Sequence, residues 1–259
     1  MAEKEDGPAV ITRAMAILDS FDGKHRHQNL ASIARRAKLP VSTTHRLVNQ
    51  LLETHALVRT ADGSYEIGTK LWRLGLLASV HSNLREIALP YMEDIYAIAH
   101  DAVQLGVPDG MRCLVVERIA GSRTTKVISR PGVRLPLHAS GVGKVLLAFG
   151  PKEIQEAELG ILASYTAKTI TDTKVLQLQL KKIRQIGYAY SEEELALGVA
   201  TVAVPVFGPN SRAIAALGVV TPIGNKDYER VAAVLKVTAG AMAKKLAANG
   251  ITDLSQKSR

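Results

Sequence analysis

The sequence has only one cysteine, Cys113, among 259 residues, and this scarcity excludes two kinds of structure. A disulfide within the chain needs two cysteines, and a cysteine-rich zinc finger needs a cluster of them. Because Cys113 lies in the apolar, strand-like run MRCLVVERI, we expect its thiol to be buried.

Long apolar runs and export signals are missing as well. No stretch approaches the roughly 18 uninterrupted apolar residues of a transmembrane helix. The charged start MAEKEDGPAV lacks the apolar core of a secretory signal. The sequence therefore predicts a cytoplasmic protein that has no membrane partner.

Positive charge is present in excess, with 33 Lys and Arg residues against 24 Asp and Glu and a net charge of +9. Such a surplus favours an anionic partner such as DNA, RNA or acidic lipid. Between residues 24 and 59 the only carboxylate is Glu53, and it faces seven cations: Lys24, Arg26, Arg35, Arg36, Lys38, Arg46 and Arg59.

The first 68 residues have the pattern of three helices followed by a hairpin. The apolar spacing of VITRAMAILDSF predicts the first helix, and LASIARRAKLP predicts a second one with Asn29 as its N-cap. A third helix is predicted from about Ser42 to His55, before two short alternating runs around Asp62-Gly63. This order is that of a winged helix-turn-helix, in which the third helix enters the major groove of DNA.

The start of the third helix carries short or polar side chains, which can approach base edges and phosphates without clashing. The unpaired N–H groups at a helix start also favour a phosphate. Alternatively, the Ser-Thr-Thr run only caps the helix and the arginines only solubilise it. Helix order, polar helix start and local charge together favour DNA binding, with these predicted contacts: Arg35, Ser42, Thr43, Thr44, His45, Arg46, Asn49 and Arg59.

The texture of the sequence changes after a mostly helical stretch that ends near His100, in which Pro90 is expected to break or kink the helix. Short Val-rich runs such as RCLVVERI and VATVAVPVF then alternate with helical runs such as GVGKVLLAFG and TKVLQLQLKKIRQIG. This mixture predicts an α/β or α+β domain with a sensory or catalytic role.

Five long, widely separated stretches resemble the IclR family of bacterial transcription regulators over nearly the whole chain. They are PAVITRAMAILDSF, ASIARRAKLPVSTTHRLVNQLLETHALVR, GSYEIGTKLWRLG, RLPLHASGVGKVLLA and GYAYSEEELALGVATVAVPV. The resemblance implies an α+β fold in which an N-terminal winged helix-turn-helix is joined by a linker helix to a C-terminal α/β, GAF-like effector-binding domain. It also implies a homodimer or homotetramer.

We therefore expect four segments. Residues 1–8 form a flexible N-terminus, 9–68 the DNA-binding domain, 69–83 the linker helix and 84–259 the effector-binding domain. The partners implied are a double-stranded DNA operator and a small-molecule effector.

The run SGVGK, residues 140–144, is not a Walker A loop. That motif needs a glycine five residues before the Gly-Lys pair and Ser or Thr after the lysine, where this chain has His138 and Val145. Two interpretations stay open: the glycines let the backbone approach a ligand, or they serve only close helix packing. In the family this loop borders the effector pocket, which favours the first interpretation for Gly141 and Val142.

The resemblance also implies the walls of that pocket. Several of its positions lack the polar groups that family members sensing small organic acids often have there, so we expect a larger or less polar effector, such as an aromatic acid. Arg130 or Arg134 is a candidate partner for its carboxylate, unless both belong to a solvated loop. One wall is implied to contain Thr124, Val127 and Leu135, and the other Ser191, Thr201, Gly218 and Val220.

No cofactor or metal site is predicted. His25 and His27 have no Cys, Asp or Glu cluster nearby and are interpreted as surface residues, while His138 is expected to have a packing role. The three carboxylates of SEEEL, residues 191–195, are explained by a helix start, whose dipole favours acids, in preference to cation binding.

The combined prediction is a ligand-responsive regulator of a catabolic operon, more often a repressor than an activator. Two alternatives stay open: a nucleoid-type DNA binder whose C-terminal domain senses nothing, and a small-metabolite enzyme. The enzyme hypothesis has no metal, nucleotide or nucleophile motif to support it.

Overall fold

A computed structural model describes residues 9–75, 77, 79–121, 129–160, 162–224 and 227–252. The chain divides into two compact units, Met1–Ser79 and Val80–Arg259. Each unit has an apolar core of its own.

The first unit consists of three helices, a two-stranded hairpin and a further short helix. The order confirms the winged helix-turn-helix, and the hairpin closes around Asp62-Gly63 as predicted. The elements are α1 (Val10–Asp19), α2 (Leu30–Ala37), α3 (Val41–Glu53), β1 (Leu57–Arg59), β2 (Tyr65–Ile67) and α4 (Thr69–Gly75).

Local interactions set the ends of α2 and its turn into α3. The side chain of Asn29 accepts a hydrogen bond from the backbone N–H of Ser32 at 2.9 Å, as predicted for an N-cap. Lys38 ends the helix in the left-handed region, with φ of 55°. The helices then bury Ile17, Ile33 and Leu47 together in the first core.

The second unit is built on a six-stranded antiparallel sheet with the order β5-β4-β3-β8-β7-β6. Its strands are β3 (Ala102–Asp109), β4 (Arg112–Ile119), β5 (Arg134–Pro136), β6 (Ala189–Glu192), β7 (Val199–Phe207) and β8 (Ala213–Pro222). Its helices are α5 (Ser79–Ala99), α6 (Gly141–Phe149), α7 (Lys152–Leu159), α8 (Thr173–Ile186) and α9 (Tyr228–Ala248), with a short 3-10 turn at Pro209–Ser211.

Helices cover both faces of this sheet. Successive side chains of a strand point to opposite faces, so each buried strand contributes to a core on either side. In β7, Val202 and Val204 belong to the core under α5 and α9, whereas Ala203 belongs to the core under α6 and α8. Cys113 is buried in the second of these cores, as expected, and burial raises the pKa of its thiol. This arrangement confirms the predicted α/β domain.

The helical stretch before the sheet does not break at Pro90, the first of the two outcomes predicted for this residue. α5 continues through Pro90 and ends only at Ala99, because apolar side chains on both sides of the proline, among them Ala88 and Met92, are buried in one core. Of residues 69–83, predicted as a linker helix, the described part contains α4 and the start of α5.

Candidate nucleic-acid interface and ligand cavity

Helix α3 has a buried apolar face and an exposed polar face. Leu47 and Val48 are buried in the core of the first unit, and Thr43 is half-buried. Residues three and four positions apart lie on the same face of a helix. The exposed face therefore presents four of the predicted DNA contacts: Ser42, His45, Arg46 and Asn49.

Thr44 does not belong to this exposed face, and its prediction as a DNA contact is wrong. Its side chain is fully buried, and its hydroxyl donates to the carbonyl of Pro40 at 3.0 Å. Thr44 therefore fixes the first turn of α3 and is not available to a base or a phosphate.

The two remaining predicted contacts are exposed arginines outside α3. Arg35 lies in the last turn of α2, and Arg59 lies on strand β1 of the wing. The Arg59 guanidinium is 5.9 Å from the centre of the Tyr65 ring and donates from Nε to the carbonyl of Gly63 at 3.4 Å. These contacts hold Arg59 along the wing.

Some positively charged side chains between residues 24 and 59 make contacts within the fold and are not free to bind an external partner. Arg36 donates to a carboxylate oxygen of Asp22 at 2.5 Å and to the carbonyl of Ser20 at 2.7 Å, which ties α2 to the end of α1. His25 lies 2.8 Å from the same carboxylate. Burial opposes ionisation of Asp22, but its hydrogen bonds, above all to His25, outweigh this and lower its pKa to about 2.

A small cavity opens in the second unit beside the N-terminus of α6. Its volume is about 40 Å³, enough for roughly three water molecules, so the cavity as it stands does not support the expectation of a larger effector. The described residues that line it include four of the predicted effector contacts: Leu135, Ser191, Thr201 and Val220.

Gly141, Val142 and Gly218 lie beside the cavity lining. A Cβ atom on Gly141 would come within 2.7 Å of the Thr201 methyl group, and one on Gly218 within 3.0 Å of a Val142 methyl group. Both glycines therefore serve close packing of α6 on the sheet, the alternative left open for Gly141. Gly141 and Val142 nevertheless lie in the first turn of α6, where backbone N–H groups have no partner within the helix. The remaining two predicted contacts, Thr124 and Val127, lie outside the described residues.

A buried ion pair joins the two stretches SGVGK and SEEEL. Lys144 Nζ donates to Glu194 Oε1, and both side chains are buried. Burial lowers the pKa of Lys144, and the attraction of Glu194 only partly offsets this. The predicted helix start at SEEEL is wrong, because Ser191 and Glu192 end strand β6 and a bend follows.

Gln104 and Ser129 are among the lining residues that were not predicted from the sequence as effector contacts. Gln104 interrupts the apolar run of β3, and Ser129 precedes β5; both are buried. The sequence does carry a signal for Gln104, which is a lone glutamine inside an apolar strand. It carries a similar signal for Lys144, which is a lone lysine inside the apolar helix GVGKVLLAF.

The two arginines considered as carboxylate partners do not line the cavity. Arg134 pairs with Asp109 at 2.6 Å on the exposed side of β5, and Arg130 is exposed. Neither is therefore in place to bind an effector in this cavity.

The described residues hold no group of three or more His, Cys, Asp or Glu side chains suited to a metal ion. His25 is half-buried and lies beside Asp22, and His27 is exposed and lies beside Glu66. In the same residues, no helix has the length and apolar character to cross a bilayer.

The fold, with its exposed third helix and its separate α/β unit, is that of the winged helix-turn-helix transcription regulators. Matches to family models show to which family within this class the chain belongs. The model described as Bacterial transcriptional regulator IclR C-terminal matches residues 77–247, and the IclR helix-turn-helix domain matches residues 10–61. The chain belongs to the IclR family of transcriptional regulators.

Individual relatives agree with this assignment. The chain is 32% identical over 230 residues to the HTH-type transcriptional regulator XynR of Escherichia coli, covering 86% of this chain and 89% of that protein. It is 24% identical over 229 residues to the transcriptional repressor AllR of the same species, covering 87% and 84%. These homologues are regulators and not enzymes.

A solved structure with a ligand is also similar to this chain. It is an IclR homologue from Microbacterium hydrocarbonoxydans complexed with 4-hydroxybenzoate. The sequences are 32% identical, the TM-score is 0.83, and the match covers 93% of this chain and all of that one.

Proposed function

We propose that this regulator is a repressor of a catabolic operon, which binds double-stranded operator DNA through α3 and the wing. The observation that carries the proposal is the exposed polar face of α3, Ser42 to Asn49, which has Arg46 at its centre and no competing carboxylate. Short polar side chains and an arginine suit base edges and phosphates. The likeness to a named repressor, AllR, supports repression over activation.

We assign the roles along the chain as the sequence suggested. Residues 9–68 bind DNA, 69–83 link the two functions and 84–259 bind the effector, whereas residues 1–8 lie outside the described residues. We further propose a cytoplasmic homodimer or homotetramer that catalyses no reaction. A symmetric assembly would present two α3 helices to half-sites about 34 Å apart, or a multiple of that distance.

The effector is proposed to be a small organic acid that binds in the cavity beside α6. The relative complexed with 4-hydroxybenzoate supports an aromatic acid as one such ligand. An aromatic ring is larger than the present cavity of about 40 Å³, so its binding requires the walls to move apart. A ligand that fits only the opened form shifts the population toward that form, which is how it would release the operator.

The operator can be isolated by capturing sheared genomic DNA on the purified protein and sequencing what is retained. Arg46→Ala is then expected to weaken operator binding by about 10-fold or more, since one base or phosphate contact contributes on the order of 1–3 kcal/mol. Fluorescence anisotropy over a range of salt concentrations measures both the affinity and its salt dependence.

The control for this experiment is Arg130→Ala, which removes an exposed arginine from the second unit and should leave operator binding unchanged. Equal affinities of Arg46→Ala and the wild type would remove α3 from the interface. If the retained genomic DNA shows no enriched sites, and unrelated competitor DNA displaces it equally well, the nucleoid-type binder is favoured.

A further inference from the structure

A second cavity lies in the second unit, at the opposite end of α6 from the cavity already described. Its volume is about 300 Å³, against about 40 Å³ for the cavity at the start of α6. The β3–β4 hairpin, the end of α6, the start of α7 and the β7–β8 turn all contribute to it. Among the described residues that line the two cavities, none is shared, so they are separate sites.

The floor of the second cavity is apolar. Leu137, Leu146 and Ala213 are buried there, and Pro108 and Ile154 are half-buried beside them. An apolar cavity of about 150 Å³ holds benzene, so a volume of about 300 Å³ is enough for an apolar body of roughly ten carbon atoms. This size and lining are typical of sites for small organic molecules.

The rim of the second cavity is charged. Arg112, Arg212 and Glu153 line it and are exposed, so two guanidinium groups are present against one carboxylate. Among the described residues, none of these three takes part in an ion pair. Arg112 donates only to a neutral group, the hydroxyl of Tyr165, at 3.3 Å. The rim therefore keeps a net positive charge, which favours an anion.

The backbone at both arginines is held in place by the fold. Arg112 pairs with Asp109 and with Pro136 in the sheet. Arg212 closes the β7–β8 turn, where its carbonyl accepts from the N–H of Gly208 at 2.9 Å. A ligand therefore meets two arginines whose backbone does not have to be ordered on binding, and this reduces the entropic cost.

We propose that the second cavity binds an amphiphilic anion, a carboxylate on an apolar body of roughly ten carbon atoms. The apolar body lies on the floor, where its removal from water is favourable. The carboxylate lies at the rim and pairs with Arg112 and Arg212. Because it stays partly hydrated there, the large cost of burying a charge is avoided. This proposal goes beyond the proposed function, since it does not depend on what binds at the start of α6.

The test compares octanoate with octylammonium and with butyrate, by calorimetric titration of the full chain at low ionic strength. Octanoate and octylammonium share one apolar chain and differ in charge, whereas butyrate keeps the carboxylate on a shorter chain. The wild type is expected to bind octanoate about 10-fold tighter than octylammonium, because two cations outweigh one carboxylate at the rim. It should also bind octanoate about 10-fold tighter than butyrate or more, because four more carbon atoms leave water.

The double variant Arg112→Gln/Arg212→Gln removes both guanidinium groups and leaves Glu153 and the floor in place. Both side chains are exposed, so the variant should fold, and octanoate should then bind no tighter than octylammonium. The matched control is Arg130→Gln/Arg230→Gln, which removes the same charge from two exposed arginines of this unit that do not line the second cavity. The control should keep the preference of the wild type.

The outcomes separate this proposal from the proposed function. A wild type that does not bind octanoate, or binds it no tighter than octylammonium, would overturn the site. A preference that survives in Arg112→Gln/Arg212→Gln would show that octanoate binds elsewhere, and equal affinity for butyrate would remove the apolar floor from the interaction. If octanoate does not bind and sedimentation shows that the double variant alone dissociates, the cavity is a contact between copies of the chain. In each of these cases the proposed effector of the cavity at the start of α6 is unaffected.

Discussion

His138 is held between two acceptors in the interior of the second unit. Its Nδ1 lies 2.6 Å from a Glu158 carboxylate oxygen, and its Nε2 lies 2.9 Å from the carbonyl oxygen of Ala163. An imidazole can donate to both only when it carries both protons. Burial lowers the pKa of His138, but the bonds to Glu158 and Ala163 outweigh burial and leave the pKa raised. The packing role expected from the sequence is therefore combined with hydrogen bonds that favour the protonated form of the imidazole.

This geometry predicts how stability depends on pH. A raised pKa stabilises the folded protein fully below the unfolded value of about 6.5, and this contribution is lost as the pH rises through the folded value. His138→Gln should lower the free energy of unfolding at pH 6 by about 1.5–3 kcal/mol, since hydrogen bonds to a charged group are lost. The difference from the wild type should shrink as the pH increases, in urea titrations between pH 6 and 9.

The control for His138 is His45→Gln on the exposed face of α3, which should change the free energy of unfolding little at any pH. A difference between the wild type and His138→Gln that stays constant from pH 6 to pH 9 would contradict the imidazolium assignment.

Single residues also show where sequence patterns are insufficient. Taken alone, SGVGK predicts a glycine turn and SEEEL a helix start, although Lys144 and Glu194 form an ion pair across 50 positions of sequence. Thr44 was grouped with its exposed neighbours because it is polar. Its burial depends on the position of α3 against the rest of the core, which the sequence of α3 does not reveal.

At the scale of elements, the stability of α2 depends on its N-cap, Asn29, which the sequence predicts. Asn29→Ala removes the bond to the Ser32 N–H and should lower the free energy of unfolding by about 1 kcal/mol. Thermal or urea unfolding monitored by circular dichroism measures this loss.

The comparison for the cap is Asn49→Ala, the same substitution on the exposed face of α3, for which almost no loss of stability is expected. Equal effects of the two substitutions would show that the Asn29 cap contributes nothing beyond the general effect of replacing an asparagine.

Elements that depend on distant packing were less accessible to prediction. Proline removes a hydrogen bond from a helix interior, so Pro90 predicted a break or a kink. α5 nevertheless continues because Ala88 and Met92, on either side of Pro90, are buried against the sheet and α9. Local propensity yields where burial of a whole helix face contributes more.

At the scale of the whole molecule, operator and effector should be linked. A repressor whose effector releases DNA must bind that effector less tightly when the operator is bound, and by the same factor. Saturating operator is expected to weaken binding of the proposed acid effector by about 5–150-fold, the usual range of such coupling. Titration of the ligand into protein with and without the operator measures the factor.

An unrelated duplex of equal length serves as the control and should leave the ligand affinity unchanged at the same salt concentration. A ligand affinity that is indifferent to the operator would show that the cavity and α3 are not coupled, whatever the cavity binds.

The sequence alone determined the order of the elements, the winged helix-turn-helix, the buried thiol of Cys113 and the family. These features depend on short-range periodicity, capping residues and long motifs, all of which lie within one segment of chain. Tertiary structure alone decided which polar residues face solvent and which meet in the cavity. Gln104, Glu194 and the N-terminus of α6 come from distant parts of the chain, and only the packing of α6 against the sheet brings them together.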